Sequence, residues 1–163
     1  MHYSGESTHL TLSDLENDLI LCQQHLETTN SKGTEIERFL TRFLIVHICG
    51  EYEKEIKRIV IQRAKQTGDN ELASFVERTV EGFRNLKIDS IKGNILRRFS
   101  DNCAKTFEAK VKGTESEIRY GNIVTNRNLS AHGDPIHMTF DELIQSHQKA
   151  KDVLKAVSDA LNP

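Results

Sequence analysis

Thr34-Glu35-Ile36-Glu37-Arg38-Phe39-Leu40-Thr41-Arg42-Phe43 opens the stretch 34–63, whose reading decides the fold class. Thr34 followed three residues later by Glu37 forms a capping box, in which hydroxyl and carboxylate satisfy two backbone N–H groups that a helix start leaves without partners. Behind it Ile36, Phe39, Leu40, Phe43, Val46, Ile56, Ile59 and Val60 recur at helical spacing, a period carried on to Arg63. One long helix is predicted, with these residues as its buried stripe and Gly68 ending it near Gln66. Gly50 lies inside it. A mid-helix Gly costs about 1 kcal/mol relative to Ala, so a kink or a close helix crossing is expected there.

The same punctuation divides the rest of the chain. Ser13 with Glu16 predicts a helix running to about Glu27, with Leu15, Leu19, Cys22 and Leu26 on one face. Between Asp69 and Val111 the pattern shortens. Asp69 caps a segment carrying Leu72, Phe75, Val76 and Val80; Ser90 caps one carrying Ile91, Ile95, Leu96 and Phe99; a third runs from Asp101 toward Val111. Gly82, Gly93 and Gly113 interrupt or close these pieces. Thr114 with Glu117 starts a further helix whose Ile118 and Val124 face the core. Gly133 suits the left-handed position past its end, and Pro135 cannot continue it. Thr139 with Glu142 opens the last helix, with Phe140, Leu143, Ile144, Val153, Val157 and Leu161 as its buried stripe. No segment alternates as a strand does, and no repeat is visible. The expectation is an all-α bundle: a flexible arm over 1–12 and a single helical domain over 13–163.

Composition narrows the function classes. Charged residues make up 28% and hydrophobic ones 37%, which fits a soluble globular domain. No apolar run approaches the ~18 residues of a membrane span, and the first dozen residues lack the apolar region of a secretory signal. Cys22, Cys49 and Cys103 are odd in number and scattered, against a disulfide framework and in favour of a reducing cytoplasm. A net charge of -2 argues against a general nucleic-acid coat protein. Yet residues 84–112 gather Arg84, Lys87, Lys92, Arg97, Arg98, Lys105, Lys110 and Lys112 against only Asp89, Asp101 and Glu108. Such an excess steers a polyanion to one face, and Lys92, Arg97, Arg98 and Lys105 are the candidate RNA contacts. An ordinary solvated helix surface accounts for the run as well.

The chemistry concentrates in Arg127-Asn128-Leu129-Ser130-Ala131-His132-Gly133-Asp134, at a predicted helix C-terminus. A guanidinium presents a planar fork of donors that fits a phosphate, and an imidazole exchanges protons near neutrality. On an ideal helix Asn128 and His132 share a face, whereas Arg127 and His132 diverge by roughly 140°. Either Arg127 wraps round a fraying helix end, or two copies of the helix meet across a two-fold axis and pool their side chains. The string resembles the signature of the HEPN superfamily: Arg, usually then Asn, and, with four residues in between, a His preceded by Ala. Down to Ala131 and Gly133 it is similar to the RiboL-PSP-HEPN branch. The early helix with Phe39, Leu40, Phe43 and then Gly50-Glu51-Tyr52-Glu53-Lys54 carries the likeness over most of the chain.

That resemblance implies an all-α HEPN bundle with the signature on its penultimate helix, a homodimer with both motifs in one interfacial cleft, and metal-independent cleavage of RNA. The ribose 2′-OH would attack the adjacent phosphorus, giving a 2′,3′-cyclic phosphate and a 5′-hydroxyl. Arg127 would hold the phosphate, His132 would carry a proton, and Asn128 would orient the imidazole or bond the phosphate. The carbonyl end of a helix favours a cation by about 0.3–1 kcal/mol, which suits His132 to the acid role. No cofactor and no metal are implied. Toxin, phage-defence and RNA-processing settings fit, with an antitoxin or a nucleotidyltransferase as candidate partner. Some HEPN toxins carry, two residues after the His, a Tyr that the nucleotidyltransferase modifies; Asp134 stands there in this chain. The alternative is a silent HEPN-like module that binds nucleotide, RNA or protein through the same cleft.

Other constellations carry less. Cys22 and His25 have metal-ligand spacing, but His47 and Cys49, two apart, point to different sides of their helix and do not complete a site. His132 and His137 are separated by Pro135. Glu51, Glu53 and Glu55 interleave with Lys54, Lys57 and Arg58 as a solvated, salt-bridged face. Gly-x-Gly-x-x-Gly and Walker sequences are absent.

Overall fold

Every regular element of the computed structural model, which describes residues 9–84 and 86–162, is helical. The order is α1 (Ser13–Thr28), α2 (Glu35–Lys65), α3 (Asn70–Glu81), α4 (88–99), α5 (Asp101–Val111), α6 (Glu115–Ala131) and α7 (Phe140–Leu161). The all-α class, the long helix in the N-terminal half and the signature on the penultimate helix are as the sequence predicts. α7 packs against α2, α5 and α6, and α2 also packs against α1, α3 and α6. No described helix is long and apolar enough to cross a membrane.

The helix starts show how the caps work. At α7 the box is complete: Thr139 Oγ1 accepts from the Glu142 N–H at 3.2 Å and Glu142 Oε2 accepts from the Thr139 N–H at 2.8 Å. At α2 and α6 the carboxylate reaches one residue further back. Glu37 accepts from the Gly33 N–H and Glu117 from the Gly113 N–H, and both glycines have positive φ, 77° and 76°. The second Glu37 oxygen accepts from the Phe140 N–H at 3.2 Å, joining the start of α2 to the start of α7 across the bundle.

Two expected caps are not made. Leu12, not Ser13, occupies the α1 N-cap position, with no side-chain hydrogen bond. Burial of Leu12 and Leu15 fixes the entry of that helix instead, each worth about 1.5–3 kcal/mol. Lys87 rather than Ser90 stands at the N-cap of α4, because Ile88 and Ile91 both pack on the core and draw the start forward. α4 then widens into a π turn, Lys92–Leu96. A turn closed from residue i to i+5 brings residues five apart onto one side, so Ile91 and Leu96 are both fully buried.

The predicted stripe of α2 divides. Ile56, Ile59 and Val60 are buried, but Ile36, Phe39, Phe43 and Val46 are 48%, 65%, 63% and 49% exposed. Thr41, Leu44, Ile45, Ile48, Cys49 and Tyr52 face the core in their place. Ile118 of α6 is likewise exposed rather than buried. No close crossing occurs at Gly50: α2 runs through it unbroken, and a Cβ there would meet nothing within 4 Å. Glu55 also departs from the expected solvated face. It is buried, accepting from the Thr11 hydroxyl at 2.6 Å and from two Arg58 nitrogens at 2.6 and 2.9 Å. Burial alone would raise its pKa, but the bonds from Arg58 and Thr11 outweigh that and hold the carboxyl below its ordinary value.

Thr11 and the buried Leu12 lie against the bundle. The first eight residues of the expected arm, 1–12, fall outside the described residues. At the centre, Tyr52 stacks on Tyr120 at 5.7 Å and on His147 at 5.8 Å, and its hydroxyl lies 2.8 Å from His147 Nδ1. Three helices, α2, α6 and α7, are thereby fixed at one point.

Candidate functional site

The last turn of α6 ends in a closed Schellman arrangement. The Asp134 N–H donates to the Leu129 carbonyl at 2.9 Å and the Gly133 N–H to the Ser130 carbonyl at 3.2 Å. Gly133 has the positive φ this requires, 77°. His132 sits at the C-cap with its N–H on the Asn128 and Leu129 carbonyls, and its side chain is exposed. The backbone around the imidazole is thus held while the ring faces solvent.

Two side chains fasten this end of α6 to the bundle. Arg42 of α2 donates to the Asp134 carbonyl at 2.7 Å. Asn126 is buried; its carboxamide oxygen accepts from the His137 N–H at 2.7 Å and its nitrogen donates to the Asn122 carbonyl at 2.9 Å. The connection 132–139 is therefore gripped from both sides. Neither residue is distinguishable in sequence, because each acts through a contact that only the fold creates.

Arg127 and Asn128 are half-buried and touch each other, Arg127 Nη1 donating to Asn128 Oδ1 at 3.2 Å. They line a cavity of about 560 Å³ with Phe83, Arg84, Leu86, Lys87, Asn94 and Val124. His132 is not among its lining residues. Within one chain Arg127 and Asn128 share a cavity, while His132 is exposed at the C-cap of the helix; the pairing of Asn128 with His132 on one face, expected from their spacing, is not what the cavity brings together. Arg127 also lies near Cys49 of α2, whose thiol is pushed up to about 12 by burial, with Arg127 pulling the other way. That thiol is no nucleophile at neutral pH.

The four cations read from the sequence as RNA contacts separate. Lys92 is paired with Glu108 at 3.3 Å and with Asp89 at 3.9 Å. Arg97 is 3.8 Å from Asp101. Lys105 is exposed on α5. Arg98 lines a groove of about 860 Å³ between α3, α4 and the end of α2. His47 Nε2 lies 3.1 Å from Asp18, and no group of three or more His, Cys, Asp or Glu able to hold a metal occurs among the described residues.

The sequence profile of the RiboL-PSP-HEPN family matches residues 10–163. The chain belongs to that family. No match to a curated protein or to a solved structure was found.

Proposed function

We propose that this chain is a metal-independent endoribonuclease of HEPN type, acting as a homodimer whose interface joins two signature helices. The observation that carries the reading is the apolar stripe of α2. Ile36, Phe39, Phe43 and Val46 share one helical face and remain exposed, although nothing in a monomer requires four large apolar side chains in water there. Arg42 flanks that face and holds the Asp134 carbonyl, so a second copy seated on the stripe lies beside His132. Burying Phe39 and Phe43 on each chain is worth about 1.5–3 kcal/mol apiece.

In such a dimer Arg127 pairs bidentately with the scissile phosphate and stabilises charge as it shifts onto the phosphoryl oxygens. His132 transfers a proton, a contribution typically of about 10²–10⁴-fold in rate, and Asn128 holds the guanidinium of Arg127. The 2′-OH is the nucleophile. The protein stays in the cytoplasm, and an antitoxin is its expected regulator; Asp134 offers a nucleotidyltransferase no Tyr hydroxyl to modify.

The test is incubation of the purified chain with single-stranded RNA in EDTA. Wild type should give 2′,3′-cyclic phosphate ends, and Arg127→Ala and His132→Ala should not. A substrate with 2′-deoxyribose 5′ to the scissile phosphate should remain intact. Cleavage of that substrate at a comparable rate refutes the mechanism; RNA bound but uncut identifies a silent binding module.

A further inference from the structure

The cavity at Arg127 does not end there. Gly82, Phe83 and Asn94 line both it and the larger groove of about 860 Å³, so the two form one continuous depression. The groove is floored by Val60, Val80 and Ile95 and edged by Phe75 and Phe99, which are 67% and 39% exposed. Arg63 and Arg98 stand along it, and neither has a carboxylate within ion-pair distance among the described residues. Among the described residues no Asp or Glu lines either part, in a chain that carries 24 of them and a net charge of -2.

We infer that this depression is a binding track for single-stranded RNA, leading away from the phosphate at Arg127 over Asn94 to Phe75, Phe99, Arg63 and Arg98. The inference rests on the ribonuclease reading for the phosphate at Arg127, and extends it to substrate form and direction. Flat aromatic faces beside a cationic, acid-free wall are what unpaired bases and their phosphates require: bases stack on the rings, and the backbone follows the guanidinium groups. A duplex buries its base faces and offers nothing to Phe75 or Phe99. Asn94 projects from the π turn of α4 at the junction of the two parts. Its carboxamide both donates and accepts, so it suits the edge of the base nearest the cut. Arg84 is shared with Glu53 at 3.1 Å and is not counted among the track's phosphate contacts. An acidic amphipathic peptide satisfies the same charge. The continuity with Arg127 and Asn128 favours RNA, because a strand whose phosphate sits at Arg127 must leave along some path.

The experiment uses full-length protein carrying His132→Ala, which stalls cleavage, and a fluorescein-labelled 12-nucleotide single-stranded RNA followed by anisotropy. Adding Phe75→Ala or Phe99→Ala should weaken binding about tenfold each, while Phe75→Tyr and Phe99→Tyr should restore it. Arg98→Gln should lower the slope of log affinity against log salt by about 0.7. With His132 intact, Phe75→Ala with Phe99→Ala should slow cleavage of the 12-mer but leave a ribodinucleotide unaffected. Unchanged 12-mer affinity in folded alanine variants overturns the track whether or not the chain cuts RNA. Equal affinity for duplex RNA, or displacement of the 12-mer by an acidic helical peptide at equal concentration, overturns it too. Failure of the wild type to cut either substrate, with the binding pattern as expected, overturns the nuclease reading and leaves the track standing.

Discussion

Replacing His147 by Gln should remove an acid-labile element from the core. The imidazole is fully buried; Tyr52 lies 2.8 Å from Nδ1, and Nε2 has no partner. A protonated ring needs two acceptors, so whichever tautomer is present, charging it strands an N–H in apolar surroundings. Burial first, and then Lys151, push its pKa down from 6.5 to about 4, with Glu16 opposing. Between those values the unfolded chain binds a proton that the folded chain refuses. Stability is therefore complete above pH 6.5 and is lost as pH falls toward 4. At about 1.4 kcal/mol per pH unit the full loss is about 3 kcal/mol, of which about 2.5 kcal/mol is expressed by pH 4.5. Gln keeps an acceptor for Tyr52 and does not titrate. His147→Gln should be somewhat less stable at pH 7.5, since it loses the stack on Tyr52. Its stability should then fall with acid by about 2.5 kcal/mol less than that of wild type. Urea unfolding followed by circular dichroism from pH 7.5 to 4.5, at one fixed protein concentration, measures the difference. Parallel curves for the two proteins, within about 0.5 kcal/mol, refute the reasoning.

Phe39→Glu with Phe43→Glu should yield a stable species of 18.6 kDa by sedimentation and abolish RNA cleavage, whereas wild type should sediment at about twice that mass. Asn126→Ala leaves the His137 N–H without its acceptor and should cost about 1–3 kcal/mol in urea unfolding, with a matching loss of activity as the 132–139 connection loosens. Arg42→Ala should preserve the dimer by sedimentation but lower the cleavage rate, because the Asp134 carbonyl loses its tether. Arg127→Lys should not restore cleavage to wild-type rates, since an ammonium cannot reproduce a bidentate fork; recovery to wild-type kcat would show that charge alone suffices.

Much of this architecture is legible in local chemistry. Thr139 with Glu142, Asp69, and the apolar spacing of α7 act within a few residues of themselves, so the sequence displays them directly. What misleads is the stripe Ile36, Phe39, Phe43 and Val46. A periodic apolar face states that something covers it, not whether the cover is the same chain or a second one. Ser13 and Ser90 mislead for the opposite reason: each has the spacing or the residue type of a cap, but the burial of Leu12, Ile88 and Ile91 sets where the helix begins. Arg127, Asn128 and His132 stand out as candidates in sequence because their residue types and spacing are uncommon together. Arg42 and Asn126 do not, since their partners stand 92 and 11 residues away. The groove escapes notice because Arg63, Phe75, Asn94 and Arg98 come from three helices and share no run of sequence.

The π turn of α4 holds one residue more than a regular helix needs, and this makes the segment tolerant of a change in length. Gly93 has open space where a Cβ would be and no positive φ, so replacing it perturbs little. Deleting it removes the surplus residue. Ile91 and Leu96 then stand four apart and still share one face of a regular helix, so Leu96 stays in the core and Arg98 and Phe99 keep their direction. Loss of one residue inside α7, at the buried Ala150, instead turns everything downstream by about 100°. A single-codon deletion should therefore be far better tolerated at Gly93 than at Ala150.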